Sequence, residues 1–422
     1  MPTYITIIEL GAPLLPIALG PHYNGLLALL RQDGRPVGLL RLRGRAQITA
    51  EQLRSAIDAM HSGLVSYPPA SAPSSGAEAL HNIRGEGQEP ISPISPISPI
   101  SPISPISPIS PISPISIVIC THERPDDLRR CLEALAPAAA QGHEIIVVDN
   151  APRSGRTAEV AARFPYRYLV EPRQGLDHAR NCGLLAASRS IVAYTDDDAA
   201  PDPHWVAAIA APFADPQVGC ATGLVLPIEL ESAAQEQFEI YCLGRRSFAG
   251  QIFSAPSTPP STAGVVGMGA NMALRRALAI SIGGFDPRLD GGQPTCSGGD
   301  TDMYARVLDA GASIVYTPEA LVWHRHRRTL AELHSCIFGY GIGLYSFLTK
   351  RLVEQGDIYA LITAARWWAG PLVKAAGRKL RGQPVPAANL LVCEAAGAFL
   401  GPARLWQATA REAANRRLHG AR

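Results

Sequence analysis

Ser190-Ile191-Val192-Ala193-Tyr194-Thr195-Asp196-Asp197-Asp198 carries a short, mostly apolar run straight into three consecutive carboxylates. A run of this length and composition reads as a buried strand. Adjacent carboxylates at its end repel one another, and burying them is costly unless a cation or hydrogen-bond donors compensate. Oxygen-rich sites of this kind suit Mg²⁺ or Mn²⁺, ions that commonly carry a substrate's phosphates.

The same grammar recurs outward from that run. Residues 115–120, 144–148 and 166–170 are further apolar runs, the second ending at Asp149-Asn150. Between them the spacing predicts helices. One covers 125–135, with Pro125 in its first turn and Asp126 and Asp127 near the positive end of its dipole. Another covers 176–187. Asp202 reads as an N-cap with Pro203 at the first helical position, opening a helix to about residue 212. Apolar strands alternating with helices imply an α/β domain, a mostly parallel sheet covered on both faces. Ligands bind such sheets outside the carboxyl ends of the strands. Thr121 to Glu123, Asp149-Asn150 and Asp196 to Asp198 all follow strands, so they are expected to meet in one crevice.

The flanks differ in character. Residues 1–65 read as a small α+β accessory domain. Strands at 26–31 and 37–42 flank the hairpin signal Asp33-Gly34, and Thr49-Ala50-Glu51-Gln52 resembles a capping box opening a helix to about residue 60. Residues 66–114 read as a linker. It begins rich in Ser, Pro, Gly and Ala and continues as Pro-Ile-Ser, repeated nine times from Pro90 to Ser116. A proline every third residue matches polyproline II, so this tract reads as a semi-rigid spacer reaching about 80 Å. The catalytic-type pattern occupies 115–328. Residues 329–422 are helical in character and mix apolar side chains, including Trp367-Trp368, with Lys and Arg. They are expected either to cap the preceding domain or to lie in a membrane interface.

Composition narrows the class. Of 422 residues 47% are hydrophobic, enough for a sizeable core, and a net charge of +2 gives no reason to expect a nucleic-acid partner. The eight cysteines form no CxxC pair, which reads as free thiols in a reducing compartment. No leader-peptide pattern and no run of about 18 apolar residues is present. A cytoplasmic protein is expected, peripheral at the inner face of the membrane if the C-terminal helices make that contact.

Downstream motifs complete the pattern: Gly269-Ala270-Asn271-Met272-Ala273-Leu274-Arg275, then Gly283-Gly284-Phe285-Asp286, Gly298-Gly299-Asp300-Thr301-Asp302, and the segment from Tyr316 to His324. With the strand-end aspartates, this ordered series resembles family 2 glycosyltransferases of the GT-A fold, over residues 115–326. The resemblance implies roles position by position. Thr121 and Glu123 would hold the nucleotide base and ribose, and Asp149 the base. Arg180, in Ala179-Arg180-Asn181, would lie near the donor phosphates. Asp196 to Asp198 match the DxD element, with Asp198 on the metal and Asp197 or Asp196 on ribose or sugar. His324 would sit near metal and diphosphate. Asp300 would be the general base, with Asp302 as an alternative. One departure is evident, since Gly299 stands where the family commonly has glutamate.

The implied reaction is metal-dependent transfer of a sugar from a nucleotide-sugar donor to a hydroxyl of a glycan or lipid-linked acceptor, with inversion. The residue types suit it. A divalent ion, Mg²⁺ or Mn²⁺, offsets charge on a departing diphosphate, and a carboxylate can take the acceptor's proton. Two other classes stay open. A sugar-phosphate nucleotidyltransferase would be expected to grip a triphosphate with a glycine-rich loop, but Thr121-His122-Glu123-Arg124-Pro125 contains no glycine. A non-catalytic glycan-binding scaffold is the second.

Overall fold

The computed structural model describes residues 2–44, 47–61, 77–80, 113–242, 246–381 and 383–419. Most of the expected linker, including the Pro-Ile-Ser tract up to residue 112, lies outside the described residues.

The central element is a nine-stranded sheet. Its main path runs Ala199–Pro201, Ser313–His324, Val218–Pro227, Asn271–Arg275, Ile191–Asp196, Ser116–Thr121, Glu144–Asn150 and Arg167–Glu171, and Gln251–Phe253 pairs outside that path on Ser313–His324. The last four strands of the path are mutually parallel. Asn271–Arg275 runs antiparallel to both its neighbours, and beyond it Val218–Pro227 and Ser313–His324 are again parallel to each other. The sheet is therefore mostly parallel, with Asn271–Arg275 reversed near its middle and the short strands Ala199–Pro201 and Gln251–Phe253 antiparallel to Ser313–His324.

Alternation along each strand divides two apolar cores. Ile117, Ile119, Ile145, Val147 and Ala193 point to one face, beneath Pro125–Ala134 and Trp205–Ala210. Val118, Ile146, Val148, Val192 and Tyr194 point to the other, beneath Leu176–Ala186 and Gly299–Asp309. Both faces are covered, which is why these strands read as unbroken apolar runs. One local expectation changes. The helix after Pro203 starts at Trp205, without a side-chain cap. Asp202 instead ion-pairs with Arg31.

The N-terminal residues form a second sheet in the order Tyr4–Glu9, Gly25–Gln32, Arg35–Arg43 and Ala77–Leu80. Its hairpin turns through Asp33 and Gly34 at φ 52° and 75°, the left-handed pair that a tight two-residue turn requires. The helix Ala50–His61 opens with Thr49 and Gln52 exchanging hydrogen bonds, as the capping box predicts. Leu26, Leu30 and Leu40 pack beneath this helix, whereas Leu27, Leu29 and Leu39 pack against Leu224, Leu226 and Leu321 of the large sheet. The leucine run of Gly25–Gln32 thus serves two cores at once.

The C-terminal helices are Leu330–Gln355, Tyr359–Leu380 and Ala388–His419. The first and third pack backbone to backbone. A Cβ added to Gly341 or Gly397 would overlap the carbonyl of Glu394 or Phe338.

Candidate active site

The strand ends meet as their register dictates. Thr121 lies opposite Asp149, and Asp196 opposite Cys120. After Asp196 the chain turns through Asp197 and Asp198 into the short strand Ala199–Pro201. That strand pairs antiparallel with Ser313–His324, placing Ala199 opposite His324. This pairing delivers His324 to the aspartates. Its Nε2 lies 3.0 Å from Asp198 Oδ1 and 3.5 Å from Asp196 Oδ2. The ligand atoms of Asp196, Asp198 and His324 all fall within 4.8 Å of one another.

Positive charge surrounds the cluster. Arg124 Nη1 lies 3.2 Å from Asp197 Oδ1 and 3.1 Å from Asp198 Oδ2, and Arg327 Nη1 lies 3.4 Å from the latter. Thr121 donates a hydrogen bond of 2.8 Å to Asp197. Titration behaviour separates Asp197 from Asp198. Burial, then the neighbouring Asp198 charge, push Asp197 up to about 7. Burial acts to raise Asp198 too, but His324 and the two arginines outweigh it and hold Asp198 well below the carboxylate range. Burial acts to lower His324, yet Asp198 and Asp196 push it up to about 10. The residues fit a hard divalent cation. Two carboxylates and an imidazole converge, and the buried Asp198 Oδ1 has no hydrogen bond of good geometry despite the nearby His324 ring.

On the adjoining strand Asp149 is fully buried. Its Oδ2 accepts a 2.7 Å hydrogen bond from Tyr168, its Oδ1 has no partner, and burial raises its pKa. Glu123 sits at φ 54° and is differently engaged from its expected ribose role. Its carboxylate accepts hydrogen bonds from the Arg153 and Ser154 amides and from the Ser154 hydroxyl, so it clasps the loop after Asn150. Those contacts lower its pKa, the Arg153 amide most.

The far half supplies Asp300, in the first turn of Gly299–Asp309. Its Oδ2 accepts from the Gly269 amide at 2.8 Å and its Oδ1 from the Thr301 amide at 2.7 Å. Burial and the nearby Asp290 raise its pKa. Two expectations need correction here. Asp302 is fully buried, with Oδ2 on Arg306 at 2.7 Å and Oδ1 on Lys350 at 2.6 Å. A carboxylate held by two cations inside the core cannot serve as the alternative base. Arg180 is also buried, and its Nη1 is bound to Asp177 at 2.9 Å and Asp290 at 2.5 Å. It is therefore tied to the far half and not free to grip donor phosphates, although its charge is felt by both Asp300 and Asp196. The cations that do reach the strand-end cluster, Arg124 and Arg327, were legible only as members of a loop and of the basic run from His324 to Arg328.

Residues 116–280 match the family profile described as glycosyl transferase family 2. A curated relative, the pre-mycofactocin glycosyltransferase of Mycobacterium tuberculosis, is 30% identical over 223 residues, covering 51% of this chain and 43% of the relative. The chain thus spans less than half of that relative's length. Glycosyltransferase AglE of Haloferax volcanii is 24% identical over 254 residues, covering 58% of this chain and 77% of the relative. Among solved structures, the mannosyltransferase PcManGT of Pyrobaculum calidifontis, in complex with GDP-Man and Mn²⁺, aligns with a TM-score of 0.43 at 20% identity, covering 71% of this chain and 88% of that one. Sheet, strand-end carboxylates and sequence match agree: over residues 116–280 the chain is similar to glycosyltransferase family 2.

Proposed function

We propose that this chain transfers a glycosyl group from a nucleotide-sugar donor to a hydroxyl of a glycan or lipid-linked acceptor, with inversion at the anomeric carbon. The supporting observation is the division of carboxylates. Asp196 and Asp198 share one small volume with His324, while Asp300 lies outside that group, with raised proton affinity. A divalent ion held by Asp198, Asp196 and His324 would offset charge on the departing diphosphate. Arg124 and Arg327, freed from their aspartate partners, would donate to the same oxygens. Asp149, with one buried oxygen unpartnered, would accept from the nucleotide base, and Asp197 and Thr121 would face the ribose. Asp300, held by two backbone amides, would take the acceptor's proton as the new bond forms. A carboxylate made more basic by burial suits that task.

Substituting Asp300→Asn tests this assignment. The rate of transfer should fall by about 10²–10⁴-fold, the range for loss of a general base, with donor affinity retained. Full activity in Asp300→Asn would refute the assignment. Release of pyrophosphate from a nucleoside triphosphate and a sugar phosphate would favour the nucleotidyltransferase instead.

The cellular setting belongs to the same proposal, as a cytoplasmic enzyme peripheral to the membrane. Among the described residues no helix is long and apolar enough to cross a membrane. Yet Ile362, Val373 and Leu380 are 51%, 68% and 89% exposed on Tyr359–Leu380, beside exposed Arg366, Lys374 and Lys379. Phe399 and Trp406 are exposed on the last helix. Apolar side chains interleaved with cations fit an anionic lipid surface. Vesicles containing anionic lipid should co-sediment the protein at low salt, and absence of binding would remove this reading.

A further inference from the structure

The departure at Gly299 has a structural counterpart. A Cβ added there would fall 2.7 Å from the carboxyl carbon and from Oδ1 of Asp177, and closer still to Oδ2. A side chain at position 299 and the carboxylate at position 177 therefore compete for one volume. We propose that Asp177 supplies, from the neighbouring helix, the acidic group that position 299 lacks, and acts as a positioning residue that holds Arg180 beside Asp300. This inference rests on the reading of Asp300 as the base.

Three observations carry it. Asp177 is fully buried, with Oδ1 on Arg180 at 2.9 Å and Oδ2 without a hydrogen-bond partner against the Gly299 backbone. An acid in the first turn of a helix ordinarily serves the dipole or caps an amide. The hydrogen bond made by this one goes to the arginine. Next, Asp290, at φ 71°, grips the same Arg180 nitrogen, so the guanidinium is held by two acids. Finally, a Cβ on Gly269 would meet Arg180 Nη2 at 2.7 Å and Asp300 Oδ2 at 3.0 Å. The remaining end of the guanidinium and the proposed base thus flank one narrow gap, kept open by a residue without a side chain. Burial and the charge of Asp290 act to raise the pKa of Asp177, and the Arg180 guanidinium beside it opposes that rise.

The test is an exchange of the carboxylate between the two positions. Wild type, Asp177→Ala, Gly299→Glu and the double variant Asp177→Ala/Gly299→Glu are compared for thermal midpoint and for turnover with Mn²⁺ and a panel of UDP-, GDP- and dTDP-sugars. Asp177→Asn is added as a variant that keeps volume and loses acidity. Gly299→Glu alone should lower the midpoint, whereas in the Asp177→Ala background it should not. Each single variant should lower kcat by about 10²-fold at unchanged donor KM, as expected for a misplaced reacting group, and the double variant should recover most of it. Asp177→Asn should fold like wild type and show the kcat loss. Equal damage by Gly299→Glu in both backgrounds, or no recovery of turnover in the double variant, would overturn the proposal. If the wild type turns over no donor, the reading of Asp300 falls instead, and the midpoints still decide whether the two positions share one carboxylate.

Discussion

Asp198→Asn is the most informative single change, because it keeps the shape of the site and removes one charge. Asp198 faces His324 at 3.0 Å, Arg124 at 3.1 Å and Arg327 at 3.4 Å. Breaking a buried pair by deleting one partner can cost about 3–5 kcal/mol. Here three effects reduce that figure. The Arg124 and Arg327 side chains are 42% and 38% exposed and can turn to water. His324 can release its proton once the charge that holds it is gone. Asp197, raised first by burial and then by repulsion from Asp198, is relieved of the second of these. The metal-free variant should therefore lose only about 1–2 kcal/mol of stability. The response to metal should change far more. At a hundredfold excess over its dissociation constant, Mn²⁺ stabilises a specific site by about 2.7 kcal/mol. That shift, read by thermal unfolding with and without Mn²⁺ and nucleoside diphosphate, should vanish in Asp198→Asn. Turnover should fall by about 10²–10³-fold, the usual effect of removing one element of transition-state charge stabilisation. A variant that keeps the full Mn²⁺-dependent shift, or turns over donor at the wild-type rate, would refute the placement of the cation.

Other predictions concern the scaffold. Burial acts to raise Glu239, but Arg246 and His326 outweigh it and hold its folded pKa well below the usual range. The unfolded chain, with a carboxylate near pH 4.3, takes up that proton first, so the stability Glu239 contributes is present above about pH 5 and is lost as pH falls. In urea titrations Glu239→Gln should be less stable at pH 7 and show a flatter decline between pH 5 and 3; an unchanged acid limb would contradict this. Lys350→Met removes an ammonium that Asp302 and Asp286 share at 2.6 Å each; each carboxylate keeps an arginine, Arg306 and Arg288, so the change should cost about 1–3 kcal/mol in denaturant unfolding. Turnover per folded molecule should be retained, and a selective loss of kcat would restore Asp302 as a base. Gly397→Val forces side-chain atoms into the Phe338 carbonyl. It should part the two long C-terminal helices, seen as rapid proteolysis within Ala388–His419, and wild-type resistance would contradict the packing.

What could be read from sequence was what local chemistry encodes. The four parallel strands announce themselves because both faces of each are apolar, and both hairpin and capping box depend on residues a few positions apart. The other half of the sheet was hidden. Val218–Pro227 carries Gly219 and Gly223, which look like loop residues but are required by close approach: a Cβ on Gly223 would overlap the Ala320 carbonyl, and one on Gly219 would fall 2.5 Å from Leu278. Asp196, Asp198 and His324 were each visible as candidates, yet their meeting depends on the three-residue strand Ala199–Pro201, too short to leave a periodic signal. Arg180 misled because an arginine near a helix start says nothing about Asp290, which lies across the fold and captures it. Asp302 misled for the same reason, since Lys350 arrives from a helix beyond the sheet. The pairing of Asp177 with Gly299 was invisible, because a missing side chain has no sequence pattern until its neighbour is known.

The central claim is that the Asp196–Asp198–His324 cluster holds a divalent ion on which a nucleoside diphosphate sits. Crystals grown with Mn²⁺ and a nucleotide sugar, measured at the manganese absorption edge, test it most directly. The account predicts one strong anomalous peak at roughly 2.0–2.3 Å from a carboxylate oxygen of Asp198 and from His324 Nε2, with diphosphate oxygens completing the shell. A well-ordered nucleotide with no peak there, or a peak beside other residues, would contradict it.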